Sequence, residues 1–355
     1  MSNPLPKTTD RYVLRTTQNG FDSLEFEKDT PIPELGDYDC LVQIQAVSLN
    51  YRDLIIAKGQ YPFPVKFPKI PCSDGAGNVL AVGKKVTEFE VGDKVCTLFN
   101  ELHQAGPIDA RAIASGLGGA IDGTLRQYGV FPEHGLVAAP TNITPTEAGT
   151  LTCAPLTAWN ALYGLESKAL KPGQTVLTQG TGGVSIAALQ FAIAAGAVVI
   201  ATSSSKEKCD SLKKLGAHHT INYREDTNWG ETAKKLSPSG EGVDHVVEIG
   251  GPNTMAQSLK AIKMEGVITV IGFVGGAEGE KQPSTLDALT NVCTIRGILV
   301  GSKAQFKDMN AAIDANNIHP VVDKTFPFEQ AKEAYQYQWQ QKHFGKVVIQ
   351  LGRLQ

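Results

Sequence analysis

Between residues 170 and 301, β-branched and other apolar positions gather in short runs, separated by stretches with helical spacing. The runs fall at 175–179, 198–202, 220–222, 243–248, 267–271 and 294–300. They are continuously apolar rather than alternating. An alternating strand keeps one face in water, whereas a continuous one is buried on both faces, as in a parallel sheet covered by helices. This part of the chain therefore predicts a doubly wound α/β sheet. Helix signals lie between the runs: Ser205 precedes a helix over 206–215 that Gly216 closes, and Asn253 precedes one over 254–262.

Before residue 140 the pattern changes. Short strand-like runs at 40–47, 77–82 and 94–98 stand among glycines and prolines, which predicts a mainly β domain. Residues 100–123 lack periodicity and read as a long surface loop. Thr144-Pro145-Thr146-Glu147 has capping-box spacing with proline at the first helical position. A helix is expected to start there and to bridge the domains through Trp159. Beyond Gly301 the pattern predicts helices over 303–316 and near 328–341, then a strand over 346–351, a tail expected to return to the first domain.

The 355 residues favour two domains, and 42% hydrophobic with 19% charged residues describes an ordinary α/β protein. A net charge of −3 provides no bulk basic field for nucleic acid or anionic membrane, so a small molecule is the expected partner. Residues 1–15 lack the apolar core of a secretory leader. The longest apolar stretch, 186–201, is interrupted by Gln190 and Gly196 and is too short to span a bilayer. A cytoplasmic location is expected. The six cysteines, Cys40, Cys72, Cys96, Cys153, Cys209 and Cys293, are widely separated, which excludes a zinc knuckle and a thioredoxin-type pair and predicts reduced thiols.

Candidate chemistry begins after the run at 175–179, where Gly180-Thr181-Gly182-Gly183-Val184-Ser185 opens into a helix. Glycines let the backbone approach a pyrophosphate, and the helix N-terminus presents free N–H donors and a positive dipole end. Ser185 stands where a third glycine is usual and is expected to spread helix and strand slightly. About 20 residues further on, an NAD-selective site carries an acidic residue for the ribose hydroxyls. Here Thr202-Ser203-Ser204-Ser205 stands instead, so nothing repels a 2′-phosphate. Ser203 and Ser204 can donate to it and Lys208 supplies charge, which favours NADP, while the same serines could simply cap the next helix. The nicotinamide end is expected at Gly250-Gly251, at Gly272-Phe273-Val274 and at Val300-Gly301-Ser302, which follow strands at the carboxyl edge.

With Ser48-Leu49-Asn50-Tyr51-Arg52-Asp53, Asp74-Gly75-Ala76-Gly77, Gly92-Asp93-Lys94-Val95, the glycine loop and Phe344-Gly345-Lys346-Val347-Val348, the chain resembles the medium-chain dehydrogenase/reductase superfamily along almost its full length. Within it, the chain looks most like the zinc-type alcohol dehydrogenase-like proteins and the related quinone oxidoreductases. The resemblance implies a GroES-like, mainly β catalytic domain over 1–153, completed by 303–355, and a Rossmann domain with a doubly wound parallel sheet over 154–302. It also implies a homodimer paired near 294–300, places Tyr223 of Ile221-Asn222-Tyr223-Arg224 beside the 2′-phosphate, and puts Lys346 near cofactor phosphate or solvent. The family's cysteine, histidine and cysteine zinc ligands correspond to Asn50, Ser73 and Cys153, and the four-cysteine lobe is replaced by 100–123. Two of three donors are poor zinc ligands, so the protein reads as zinc-free.

Without a Lewis acid, oxidation of an unactivated alcohol is hard, whereas conjugate addition of hydride needs positioning, a donor to the carbonyl oxygen and exclusion of water. Asn50, Tyr51 and Tyr61 are the candidate catalytic residues; the tyrosines could equally be packed aromatics. Arg52 and Asp53 read as an ion pair, and Asp74 as an acceptor for turn N–H groups. The substrate pocket is expected along 100–123 and 286–292. The leading expectation is an NADPH-dependent, zinc-independent reductase of enones or quinones. An NADP-dependent alcohol dehydrogenase or carbonyl reductase is the alternative of the same fold, and a nucleotide-binding protein with incidental catalysis the alternative of another class.

Overall fold

The computed structural model describes residues 4–276 and 284–352, so the start of the stretch 1–15 lies outside the described residues. The chain divides into two compact units, one made of Met1–Leu156 with Ser302–Gln355 and the other of Thr157–Gly301.

The first unit opens with an antiparallel hairpin of β1 (Thr8–Leu14) and β2 (Leu24–Pro31). The long strand β3 (Asp39–Ser48) leads into α1 (Tyr51–Ala57), followed by β4 (Ala76–Val82) and β5 (Lys94–Thr97). Next come α2 (Ala110–Ile113), β6 (Tyr128–Pro132), β7 (Leu136–Ala138) and α3 (Pro145–Ala148), and the chain leaves this unit within α4 (Ala154–Tyr163), whose residues from Thr157 onward belong to the second. β3 is the hub, pairing antiparallel with β4 and β6. Its side chains join Leu14, Leu49, Leu54, Ile56, Leu125 and Phe131 in a continuous core, which fixes the end of β3 and the start of α1.

Two expectations for this unit need correction. Residues 100–123 are not simply a surface loop: they contain α2, capped by Asp109 Oδ1 accepting from Ala112 N at 2.8 Å, and Asn100, Ser115 and Leu117 are buried. A four-residue helix is too short to register as a period. The capping box at Thr144 does form, but its helix stops at Ala148, and Trp159 belongs to the separate α4. A cap specifies where a helix starts and says nothing about its length.

The second unit carries one parallel sheet of β8 (Thr175–Gln179), β9 (Val198–Ser203), β10 (His219–Asn222), β11 (Val243–Glu248), β12 (Ile262–Val270) and β13 (Thr294–Gly297). The connections hold α5 (Gly183–Ala194), α6 (Lys206–Lys214), α7 (Trp229–Leu236), α8 (Pro252–Ala261) and α9 (Leu286–Thr290). The spatial order is β10-β9-β8-β11-β12-β13. Every residue of β8 and β11 is buried, but the expected continuous apolar character is broken by Thr175, Thr178 and Gln179 and by Asp244, His245 and Glu248, buried polar groups held within the sheet. Winding reverses between these two strands, and such a switch point opens a crevice beyond their carboxyl ends. At the edge, β13 stops at Gly297, short of the expected Val300, whose φ is +51°. Leu286 and Leu289 of α9, expected to line a pocket, are exposed.

The chain then returns to the first unit through α10 (Lys303–Asn316), β14 (Val322–Pro327), α11 (Ala331–Trp339) and β15 (Lys346–Gln350). β15 pairs antiparallel with β3 and parallel with β14. α10 begins on a capping box of Ser302 and Gln305. Among the described residues no helix is long and apolar enough to cross a membrane.

His245 in β11 is 4% exposed, and burial holds its imidazole down to about 4 from an ordinary 6.5, with Lys263 opposing protonation and Asp244 favouring it. The folded chain keeps this group neutral where an unfolded one takes up a proton. Stability is therefore lost as pH falls from about 6.5 toward 4. Thermal unfolding of wild type and His245→Gln from pH 7.5 to 4.5 is expected to show a shallower decline in the variant, a difference of about 2–3 kcal/mol across the window. Parallel curves would show that the imidazole is not held neutral.

Candidate active site

The end of β3, the start of α1 and the start of β15 bring a set of buried polar groups together inside the first unit. Lys346 is only 5% exposed. Its Nζ donates to Leu49 O at 2.9 Å, Asn50 Oδ1 at 2.5 Å and Asp74 Oδ2 at 3.2 Å, which accounts for all three ammonium hydrogens. The backbone sets this up: Leu49 N donates to Val347 O at 3.0 Å, so the chain beside Asn50 is registered against the first residues of β15. Asp74 is completed by Ser48 Oγ at 2.6 Å and Ser73 Oγ at 3.1 Å. Its expected role as acceptor for turn N–H groups is thus corrected: the carboxylate serves an ammonium and two hydroxyls, because a buried charge takes the strongest donors within reach. Lys346 likewise departs from its expected place at phosphate or solvent.

Asn50 immediately precedes α1, and its backbone N–H donates to Asp53 Oδ2 at 2.8 Å. The side chain is 8% exposed, and its Nδ2 has no hydrogen-bond partner among the described residues. Burial pushes the Asp53 carboxyl up to about 6 despite the neighbouring Arg52 guanidinium. The expected Arg52–Asp53 pair is loose at 3.8 Å. Arg52 instead lies over the Tyr61 and Phe99 rings and donates from Nε to Tyr61 Oη at 3.1 Å. With that oxygen accepting, the Tyr61 proton is left to donate elsewhere. Tyr51 stacks parallel on Trp339 at 6.4 Å, a packing contact.

In the second unit the glycine turn follows β8. Gly180 has φ +72°, and a side chain built on Gly180 or Gly182 would meet nothing within 4 Å. This leaves an open backbone cradle at the N-terminus of the twelve-residue α5, formed by Gly180, Thr181, Gly182, Gly183 and Val184. Ser185 is fully buried, and its Oγ donates to Gln179 O at 2.5 Å. The expected spreading of helix and strand is therefore replaced by a bond that stitches them together. At the end of β9, Ser205 is the residue that caps α6, accepting from Lys208 N at 3.3 Å. Ser203 and Ser204 are thus not the caps. Tyr223 N donates to Ser203 O at 3.0 Å, which sets Tyr223 beside the end of β9, and Lys208 lies in the first turn of α6.

Sequence reasoning missed Glu248, the buried last residue of β11. Its Oε1 accepts from Gly250 N at 2.9 Å, Gly251 N at 3.0 Å and Thr254 Oγ1, and its Oε2 from Gln179 Nε2 at 2.8 Å and Ser258 Oγ. One carboxylate thus ties the end of β8 to the turn at Gly250 and to α8. Val274 N donates to Ile249 O at 3.0 Å, bringing the Gly272-Phe273-Val274 turn to the same edge. Val300 O accepts from Asn160 Nδ2 at 2.6 Å, which holds the turn before Gly301. A glutamate ending an apolar run was the only sequence signal for this hub.

A family model described as alcohol dehydrogenase GroES-like domain matches residues 36–141, and one described as zinc-binding dehydrogenase matches residues 183–315. A zinc-type alcohol dehydrogenase-like protein of Schizosaccharomyces pombe is 49% identical over 345 residues, 96% of this chain and 99% of the relative. A quinone oxidoreductase of Lama guanicoe is 26% identical over 324 residues, 89% and 90% of the two chains. The solved structure of a candidate alcohol dehydrogenase from Sinorhizobium meliloti 1021 matches with a TM-score of 0.87 at 38% identity, covering 98% of this chain and 100% of that one.

The zinc in those descriptions can be tested against the donors present. Asn50 Oδ1 is already bonded to an ammonium, Ser73 Oγ donates to Asp74, and burial pushes the Cys153 thiol up to about 12. Among the described residues no three His, Cys, Asp or Glu side chains form a metal-ligating group. An amide oxygen already held by an ammonium and a hydroxyl already engaged with a carboxylate leave a single thiol as donor, which does not fit a dication. Excess zinc added to chelator-treated protein is accordingly expected to leave the melting temperature unchanged. A rise of several degrees, the mass-action signature of a ligand that binds only folded chain, would overturn this.

Proposed function

Because the chain belongs to the medium-chain dehydrogenase/reductase superfamily of oxidoreductases, with a GroES-like mainly β unit and a Rossmann-type parallel-sheet unit, we propose that it is an NADPH-dependent, zinc-independent reductase of enones or quinones. The buried, unpartnered Nδ2 of Asn50 is the observation that carries this reading. It is a neutral donor at a position the resemblance matches to a zinc ligand, and it suits an oxygen that gains charge as hydride arrives at a conjugated carbon. Conjugation lowers the demand on the protein, since the acceptor is already electrophilic and only its oxygen must be stabilised.

The backbone of Gly180, Thr181, Gly182, Gly183 and Val184 would hold the cofactor pyrophosphate at the N-terminus of α5. Ser203, Ser204, Lys208 and Tyr223 would surround the 2′-phosphate. The absence of a carboxylate from Ser203, Ser204 and Ser205 supports NADP over NAD. The turns at Gly250, at Gly272-Phe273-Val274 and at Val300-Gly301 would meet the nicotinamide, which supplies the hydride when bound. Asn50 Nδ2 donates to the substrate carbonyl oxygen and the Tyr61 hydroxyl donates beside it, its oxygen being held by Arg52.

Two experiments test this. Gly182 has φ −77° and ψ 171°, ordinary for any residue, so Gly182→Val fills the cradle without backbone strain. The variant is expected to melt within about 2 °C of wild type while its Kd for NADPH rises at least ~10-fold. Unchanged binding would remove the glycine turn from the cofactor site, and tighter binding of NADH than NADPH to wild type would overturn the cofactor preference. Second, NADPH deuterated at the transferable position is incubated with an α,β-unsaturated ketone. Deuterium on the β-carbon is expected, whereas deuterium on the carbinol carbon would identify a carbonyl reductase.

A further inference from the structure

Lys346 reaches the Asn50 side chain from the far end of the sequence, |i−j| being 296 for this pair, and the contact decides which atom of the carboxamide is left without a partner. An ammonium can only donate, so the amide atom 2.5 Å from Nζ must be the oxygen. Nδ2 is thereby turned the other way, into a position where no described group accepts from it. Leaving a buried N–H without a partner is costly, and such a group is kept where something outside the fold completes it.

We propose that Lys346 is a positioning residue for hydride transfer: by pinning Asn50 Oδ1 it presents Nδ2–H to the acceptor's carbonyl oxygen and prevents the amide flip that would present a lone pair instead. This rests on the reading of Asn50 given above and adds to it a constraint on the substrate. A carboxamide whose oxygen is already engaged offers only its N–H donors. It selects a ligand with a lone pair at that point, a carbonyl of an enone or quinone, over an alcohol whose hydroxyl must also donate. The ammonium further polarises the amide, so the hydrogen bond from Nδ2–H strengthens as hydride from NADPH adds to the β-carbon and negative charge develops on the substrate oxygen; the enolate so formed takes its proton from solvent, and NADP+ leaves.

The lysine is held from three sides. Asp74, itself completed by Ser48 and Ser73, pairs with the charge, Leu49 O takes a second hydrogen, and Gly345, at φ +93° against Val321 O, sets the entry of β15. With every hydrogen used inside the first unit, none remains for a cofactor phosphate. This separates a positioning role from the phosphate contact expected from the resemblance.

The test is a double-mutant cycle of wild type, Lys346→Met, Asn50→Ala and the double variant, assayed with NADPH and an α,β-unsaturated ketone, with NADPH affinity measured separately by nucleotide fluorescence. Lys346→Met is expected to lower kcat ~10–100-fold and to leave the Kd for NADPH within about 2-fold. In the Asn50→Ala background the same change should have little further effect, because the lysine acts through the amide. Losses that multiply would overturn the proposal, as would a raised Kd for NADPH with kcat retained. Since Lys346→Met strands a buried Asp74, the comparison is repeated as Asp74→Asn against Asp74→Asn/Lys346→Met, where no charge is left alone. A second readout does not depend on turnover: the Asn50 side-chain amide resonances, assigned by their loss in Asn50→Ala, are expected to shift between those two variants. Unmoved resonances would overturn the positioning role even if the chain proved active, while shifted resonances in a chain without enone activity would retire the proposed reaction and keep the contact.

Discussion

A buried ammonium must be given a full set of acceptors or it will not stay charged and buried, and in the first unit that requirement organises the site. The acceptors of Lys346 come from the junction of β3 and α1 and from the turn before β4, while the lysine itself starts β15. Three segments far apart in sequence are therefore locked by one charge. The surrounding order follows. Asp74 needs Ser48 and Ser73 to balance its remaining lone pairs, and the Asn50 amide loses its freedom to flip. Removing the lysine would leave a carboxylate unpaired in the core, a far larger loss than an exposed ion pair would suffer.

The second unit uses the opposite charge in the same way. Glu248 sits at the winding reversal between β8 and β11 and accepts from two backbone N–H groups, two hydroxyls and an amide. Those donors belong to the end of β8, the turn at Gly250 and α8, so one carboxylate sets their spacing. The Ser185 bond to Gln179 fixes the angle at which α5 leaves β8, a task that close packing at a glycine performs elsewhere. A cradle of flexible glycines thus rests on rigid neighbours. This suits a site that must present N–H donors to a ligand without first ordering them.

What could be read from the sequence was what is locally encoded. The β-branched runs announce the strands, of which β8 and β11 are buried throughout, and the glycines after the first of them announce a turn into a helix, because both signals lie within a few residues. The span of α10 and the capping box at Thr144 were legible for the same reason. Illegible were the features that exist only in three dimensions. The Lys346–Asp74 pair joins positions separated by 272 residues, and Asp74 followed by glycine reads locally as a turn. Glu248 looked like the end of a strand until its five donors, from Gln179 to Ser258, were assembled around it. Residues 100–123 misled because anchoring there comes from single buried side chains such as Leu117 and not from a repeating pattern.

The contrast with a zinc site follows from these parts. A dication polarises both an alcohol and a carbonyl, and it lowers the proton affinity of the oxygen it binds, which makes oxidation accessible. An amide N–H backed by an ammonium carries less charge and arrives with a direction: its nitrogen donates and accepts nothing. Such a donor stabilises negative charge on an oxygen, less strongly than a dication does. In the proposed reaction the acceptor's own conjugation supplies the electrophilicity that an amide and an ammonium do not. A metal set and an amide–lysine set can occupy one fold because either meets the electrostatic demand of that junction, and the two differ in how much charge they bring to bear on an oxygen held there.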